Sequence, residues 1–167
     1  MILLLFALTA FGVSPEGITV ITAESTMEDL VEFFGEENLE TTREHLGEGF
    51  YTEGTLIFGG TENELAVVWD DGIISEIRIN GTDATPEGIT LGSSLADLEE
   101  VIGPFEMAGF AWDCEGYVNL EGTIYEGLYI RLTPVGETPE CFMGDRLFSS
   151  EEMRELNPVV TDLRIVF

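Results

Sequence analysis

Apolar residues recur along this chain at two spacings. Over residues 27–34 and 95–102 they fall three and four apart: Met27, Leu30, Phe33 and Phe34 in one stretch, Leu95, Leu98, Val101 and Ile102 in the other. That is the period of an amphipathic helix. Thr26 and Ser94 stand just ahead, each with a side-chain oxygen able to accept a backbone N–H. Asp29 and Asp97 follow three residues later, where the positive end of a helix favours negative charge. Gly35 and Gly103 close the two stretches, since glycine takes the left-handed stop conformation without steric cost. Pro104 bars continuation of the second. The pattern predicts helices over 26–34 and 94–102.

Elsewhere the apolar positions alternate. Strands are predicted at 50–58, 64–70 and 73–80 in the first half, with a weaker run at 39–45, and at 105–113, 117–120, 125–133 and 161–167 in the second. Leu128, Ile130 and Leu132 point one way while Tyr129 and Arg131 point the other. Ile77 and Ile79 oppose Arg78; Leu163, Ile165 and Phe167 oppose Arg164. A period of two with one apolar face marks antiparallel strands that are covered on one side and open on the other. Residues 134–158 read as an insertion of turn residues with one helical turn near 150–155.

The chain also repeats itself. PEGIT occurs at 15–19 and again at 86–90, and the stretches that begin at Ser25 and Ser93 share Ser, Asp, Leu, Glu and Gly at matching places. Two matches in the same order predict a tandem repeat, 13–80 and 81–167, each unit a helix followed by about four strands. A helix must bury its apolar stripe, and a half-apolar sheet must be covered. The expected fold is therefore α+β: two tandem helix-plus-four-strand repeats in one compact domain, both helices on one face of an antiparallel sheet.

Charge narrows the partners. The 167 residues carry 33 Asp plus Glu against six arginines and no lysine, a net charge of −27, while 44% are apolar, which argues for a packed core despite the charge. Nucleic acid and anionic membrane surfaces are poor partners for such a chain. The acidity fits halophilic adaptation or a cationic partner. The opening MILLLFALTAFG (1–12) resembles the apolar region of a signal peptide, with small Ala10 and Gly12 placed for cleavage, although it lacks a basic start. It is too short to span a bilayer, and the alternative is a buried first strand. Export to the periplasm or the medium is expected. Cys114 and Cys141 most simply pair in an exported chain, two free thiols being the alternative. No Cys/His spacing suggests zinc.

The run GITLGSSLADLEEVIGPFEMAGFAWDCEG (88–116) resembles the signature of an uncharacterised family of exported bacterial proteins, G-I-x-I-G-T-S-L-x-E-L-E-x-x-N-G followed by F-x-L-x-G-F-G-W-D-Y-G-G. Gly88, Ile89, Gly92, Ser94, Leu95, Leu98, Glu99, Gly103, Phe105, Gly109, Phe110, Trp112, Asp113 and Gly116 carry the match. The closing GDRLFSSEEMRELNPVVTDLRIVF resembles that family's last segment. The chain departs at Ile102, Ala111 and Cys114, and the last departure implies a local disulfide with Cys141. At the level of fold, the helix-plus-sheet unit is similar to the tandem units of β-lactamase inhibitor protein and to the small lipoprotein of the outer-membrane assembly machine. Fold alone does not give function.

Catalytic chemistry is hard to place. His45 is the one histidine; LGSSLA lacks the glycine of a nucleophile elbow; no lysine is present to act as a base. Among 33 acids no glycosidase pair stands out. Trp69–Asp71 and Trp112–Glu115 read better as hairpin ends than as calcium ligands. No catalytic residue, metal or cofactor is expected. The remaining reading is an extracytoplasmic, non-catalytic binding module with a protein partner. A carboxylate-based hydrolase and an acidic envelope structural protein are the alternatives. Alternation sends Arg78, Tyr129, Arg131 and Arg164 to the open sheet face, and Phe110 and Trp112 share a face opposite small Gly109 and Ala111. Tyrosine, tryptophan and arginine are enriched at binding hot spots, so this face is the expected contact surface. The bland alternative pairs the arginines with Glu76, Asp113 and Asp162. The charge makes a direct prediction: screening of like charges should raise the melting temperature between low and molar NaCl. A flat or falling melting temperature across that range would contradict it.

Overall fold

The computed structural model describes residues 13–14, 17–18, 20–81, 89–110, 116–144 and 146–167. In chain order the elements are β1 (Val13–Ser14), β2 (Gly17–Ile18), α1 (Met27–Phe34), β3 (Leu39–Gly47), β4 (Phe50–Ile57), β5 (Leu65–Asp70) and β6 (Ile73–Ile79). They continue with α2 (Leu95–Ile102), β7 (Glu106–Ala108), β8 (Val118–Asn119), β9 (Leu128–Thr133), β10 (Leu147–Ser149), α3 (Ser150–Met153) and β11 (Val159–Val166). Short 3₁₀ turns lie at Glu36–Asn38, Glu140–Phe142 and Arg154–Leu156. The PEGIT residues 15–16, 19 and 86–88 and the signal-like segment 1–12 lie outside the described residues. Among the described residues no helix is long and apolar enough to cross a membrane.

Both long helices start with the same device. Asp29 N–H donates to Thr26 Oγ1 at 3.3 Å, and Thr26 N–H donates back to the Asp29 carboxylate at 2.8 Å. Ser94 and Asp97 repeat the exchange at 3.2 and 2.8 Å. Each reciprocal pair satisfies two amides that the first helical turn leaves without partners. The exchange holds both carboxyls below the usual aspartate range, Asp29 chiefly through the Thr26 amide and Asp97 chiefly through the Ser94 hydroxyl. Gly35 and Gly103 end the helices at φ 83° and 77°. Leu30 and Phe34 of α1, and Leu95 and Leu98 of α2, are buried.

The large sheet is antiparallel, with strand order β3-β4-β5-β6-β11-β9. The first four strands form a meander, as the alternation predicts for the first half. The second half differs from expectation. Its strands divide between two sheets: β9 and β11 extend the meander, while β7, β8 and β10 form a separate three-stranded sheet, β10-β7-β8. Among the described residues of the run predicted at 105–113, the strand covers Glu106–Ala108. At Gly109 a Cβ would stand 2.4 Å from the Gly144 carbonyl oxygen and 2.8 Å from that of Phe142, so the 140–144 segment closes directly on this backbone and ends the strand. β10 falls in the insertion 134–158, which also supplies the helical turn expected near 150–155.

One face of the large sheet is apolar across its strands. Ile57, Leu65, Val67, Ile77, Ile79, Ile165, Leu163, Ile130 and Leu132 are buried in a single core with Leu30, Phe34, Leu95 and Leu98 of the helices and Met107, Val118 and Phe148 of the small sheet. Thr55 sits in this layer with its hydroxyl taken by the Trp69 indole N–H at 3.0 Å, so a buried polar group is satisfied. The helix caps give the test of this description. Ser94→Ala should lower stability by about 1 kcal/mol in urea denaturation; an unchanged midpoint would show that α2 does not depend on its cap. The Asp29 and Asp97 carboxyls contribute fully above the ordinary aspartate range, and their contribution fades as pH falls through their lower folded values. The double variant Asp29→Asn, Asp97→Asn should flatten the acid limb of the melting curve.

Candidate functional site

Strand register places a second set of side chains on the other face of the large sheet. Arg78 lies opposite Arg164, Arg164 opposite Tyr129, and Arg131 opposite Asp162. Gly54 lies opposite Val68, and Val68 opposite Glu76. Two arginines facing each other across adjacent strands repel unless acids come between them. Glu76 does so, accepting a short hydrogen bond from Arg78 Nε and pairing with Arg164 Nη1 at 3.5 Å. Arg78 reaches further, to Glu44 on β3 at 3.0 Å through Nη1 and to the His45 carbonyl at 3.0 Å through Nη2. Arg164 binds Asp162 through two nitrogens, Nε at 2.7 Å and Nη2 in a short contact. Asp162 also stands 3.9 Å from Arg131 Nη2.

The result is a ladder, Glu44–Arg78–Glu76–Arg164–Asp162–Arg131, that runs from one edge strand to the other. It is closed by small residues beneath: a Cβ at Gly54 would lie 2.5 Å from the Glu44 side chain. Ala66 and Val68 on this face are buried, so the face is not bare. Three carboxylates and three guanidiniums cancel within it. The hydrogen bonds that Arg164 donates to Asp162 raise its guanidinium above its ordinary value, against the cost of its partial burial.

The ladder ends unevenly. At the β9 end the Arg164 guanidinium lies over the Tyr129 ring at 4.9 Å, and the Tyr129 and Tyr117 rings are 4.4 Å apart. Tyr117 bridges Arg131 through the backbone. Arg131 is the least satisfied member: its ion pair is the long one, and its buried Nε has no hydrogen-bond partner among the described residues. Tyr117, Tyr129, Arg131 and Arg164 thus form one aromatic and cationic corner.

Arg78, Tyr129, Arg131 and Arg164 stand on the face that alternation assigns them, and the arginines pair with Glu76 and Asp162. Phe110 does not join them. It is buried in the core, and its N–H donates to the Phe142 carbonyl at 3.0 Å. The strand that should have carried its orientation stops two residues earlier. Trp112, Asp113 and Cys114 lie outside the described residues, and Cys141 is an exposed free thiol. Glu44 and Tyr117 belong to the site but escape sequence reading. Glu44 meets Arg78 only because the meander brings together residues 34 apart, and Tyr117 carries no signal beyond its place in a short predicted strand.

A second concavity, a cleft of about 480 Å³, lies among α2, β7 and α3. Within it the buried Ser150 hydroxyl donates to the Glu99 carboxylate, which also accepts from Arg154 Nη2 at 2.7 Å. The Ser150 hydroxyl foremost, with Arg154 assisting against desolvation, holds Glu99 below the usual glutamate range. A carboxylate so stabilised is a poor base for that serine. The other carboxyls displaced from their ordinary range, Asp29, Asp97 and Glu152, are displaced downward as well, each by a helix cap. Among the described residues no group of three or more His, Cys, Asp or Glu is placed to hold a metal ion. Comparison with protein-family models, curated proteins and solved structures finds no match to the chain.

The ladder makes a stability prediction. Arg164→Met leaves the half-buried Asp162 without its main cation and Glu76 with Arg78 alone. It should cost about 1–3 kcal/mol in urea denaturation, less than a fully buried pair and more than a surface one. A loss within experimental error would show that the ladder is solvated decoration.

Proposed function

We propose that this protein is a non-catalytic, extracytoplasmic binding module whose partner is another protein, held at the open sheet face around Tyr117, Tyr129, Arg131 and Arg164. One observation carries the reading: the weakly paired Arg131 beside Tyr117 and Tyr129, whose rings pack at a tilt. The exposed part of the Arg131 guanidinium, whose one ion pair is long, can take a docking carbonyl or carboxylate without giving up a closer partner. The tyrosine rings supply rigid amphipathic area next to it, the composition that binding hot spots favour. Long-range repulsion from a net charge of −27 selects a partner that is cationic overall while offering one acceptor to Arg131.

Export follows in this reading from the signal-like opening and from the resemblance to the exported bacterial family. The matched caps at Thr26/Asp29 and Ser94/Asp97 support descent of the two halves from one helix-plus-sheet unit, the second copy having given two strands to the first copy's sheet. Glu99, held below its ordinary range by Ser150 and Arg154, is a poor base for that serine, which favours binding over hydrolysis at that cleft.

Capture from a periplasmic or secreted extract tests the proposal. Immobilised chain should retain a partner, and Tyr129→Ala and Arg131→Ala should each reduce retention at least tenfold with circular dichroism unchanged. If capture survives both changes in folded protein, the open face is not the contact surface.

A further inference from the structure

The large sheet has two edges, and they are treated differently. The β9 edge is covered: the Leu132 N–H donates to the Gly116 carbonyl at 2.9 Å, and Tyr117 bridges Arg131. Among the described residues the β3 edge has no such cover. Its pattern of free groups follows from one bond. The Phe58 N–H donates to the Asn38 carbonyl at 2.9 Å, so residues 38 and 58 form a hydrogen-bonded pair. Antiparallel ladders alternate bonded and non-bonded pairs. Continuing the register makes Glu40/Leu56, Thr42/Gly54 and Glu44/Thr52 the bonded pairs. Thr41, Arg43 and His45 then turn their own N–H and C=O groups outward. The His45 carbonyl takes Arg78 Nη2. No described residue bonds the outward backbone groups of Thr41 and Arg43.

An edge of this length is usually blunted by lysine, proline or a bulge. β3 runs nine residues, Leu39–Gly47, without lysine or proline, and its irregularity comes only at the far end, between His45 and Gly47. What it does carry is acid. Glu40 and Glu44 flank Thr42 on the open face; Glu36 and Glu37 stand at the start of the strand and Glu48 just past its end. Of these acids Glu44 is paired with Arg78 at 3.0 Å; the strand's own Arg43 lies on the other face over the Tyr51 ring at 5.3 Å. A second copy of β3 brings the same acids and is repelled. A basic strand is attracted, and its alternate side chains fall beside Glu40 and Glu44 while the others meet the exposed Tyr51 side.

We infer that the β3 edge accepts an extended, basic peptide segment of a partner protein as a seventh strand of the sheet. The backbone groups of Thr41 and Arg43 supply its hydrogen bonds, and the carboxylates of Glu40 beside them and of Glu36, Glu37 and Glu48 at the ends of the strand select its charge. The inference goes beyond the open-face reading and does not rest on it.

The test uses calorimetric titration of the full chain with an alternating lysine–valine hexapeptide at physiological ionic strength. Two further peptides carry backbone N-methyl groups, one on the lysines and one on the valines. A strand added to an edge bonds through every second amide, so one methylated isomer should keep its affinity and the other should lose at least tenfold. Thr41→Pro removes only an outward amide and spares the ladder to β4, so it should also cost at least tenfold in folded protein. Equal affinity for the two methylated isomers would reduce the binding to unspecific charge attraction and overturn the inference, as would no binding of the parent peptide. If Thr41→Pro fails to fold, the isomer pair on the native chain decides. A native dimer in sedimentation that dissociates on Thr41→Pro would assign the edge to a second copy and likewise overturn it. Tyr129→Ala reads the open-face proposal and Thr41→Pro reads this one, so either can fail alone.

Discussion

The pairing of β6 with β11 joins the two halves of this chain. It is short: Ile77 faces Ile165, Arg78 faces Arg164, and Glu76 faces Val166. Through it the last strand of the chain is seated against the last strand of the first meander, and β9 is seated behind it. On one side the seam places Ile77 and Ile165 in a continuous apolar layer that both helices cover. On the other side it forces two guanidiniums into adjacent places. That second consequence is unfavourable alone, and Glu76 between them turns it into an attraction.

The rest of the ladder follows from the seam. Once Arg78 and Arg164 are fixed side by side, their remaining nitrogens reach away from the seam, to Glu44 on the β3 edge and to Asp162 along β11. Half of the chain's six arginines are used here, and none of that charge offsets the acid elsewhere on the surface. The face is thereby filled over its centre, where Ala66 and Val68 are buried, and left incomplete at its margins. Arg131 is under-bonded at one margin, and at the other no described residue bonds the outward backbone groups of Thr41 and Arg43. A sheet that is neutral and satisfied in the middle and unsatisfied at both edges offers contact at the edges.

Much of this was legible locally. The two helices announce themselves by period, cap and glycine stop, because each signal lies within ten residues and owes nothing to the rest of the fold. The faces taken by Arg78, Tyr129, Arg131 and Arg164 follow from strict alternation inside strands of six to eight residues. Where strands shrink to two or three residues, as in β7, β8 and β10, alternation has no length over which to act. Phe110 was misplaced for that reason: the closure of residues 140–144 on Gly109 ends its strand, and only tertiary structure supplies that closure. The division of the second half between two sheets is hidden in the same way, since strand patterns show which face is apolar but not which neighbour is chosen. Glu44 and Tyr117 were missed because their partners come from distant strands.

The central claim is that the β6–β11 seam makes one cooperative unit of the two halves. Native-state hydrogen exchange tests it most directly. The account predicts that the core amides of β5 and of β9 exchange with the same free energy, equal to that of global unfolding, and fall together when Arg164 is replaced by methionine. Exchange of β9 and β11 through a separate, lower-energy opening, with β4 to β6 still protected, would contradict it.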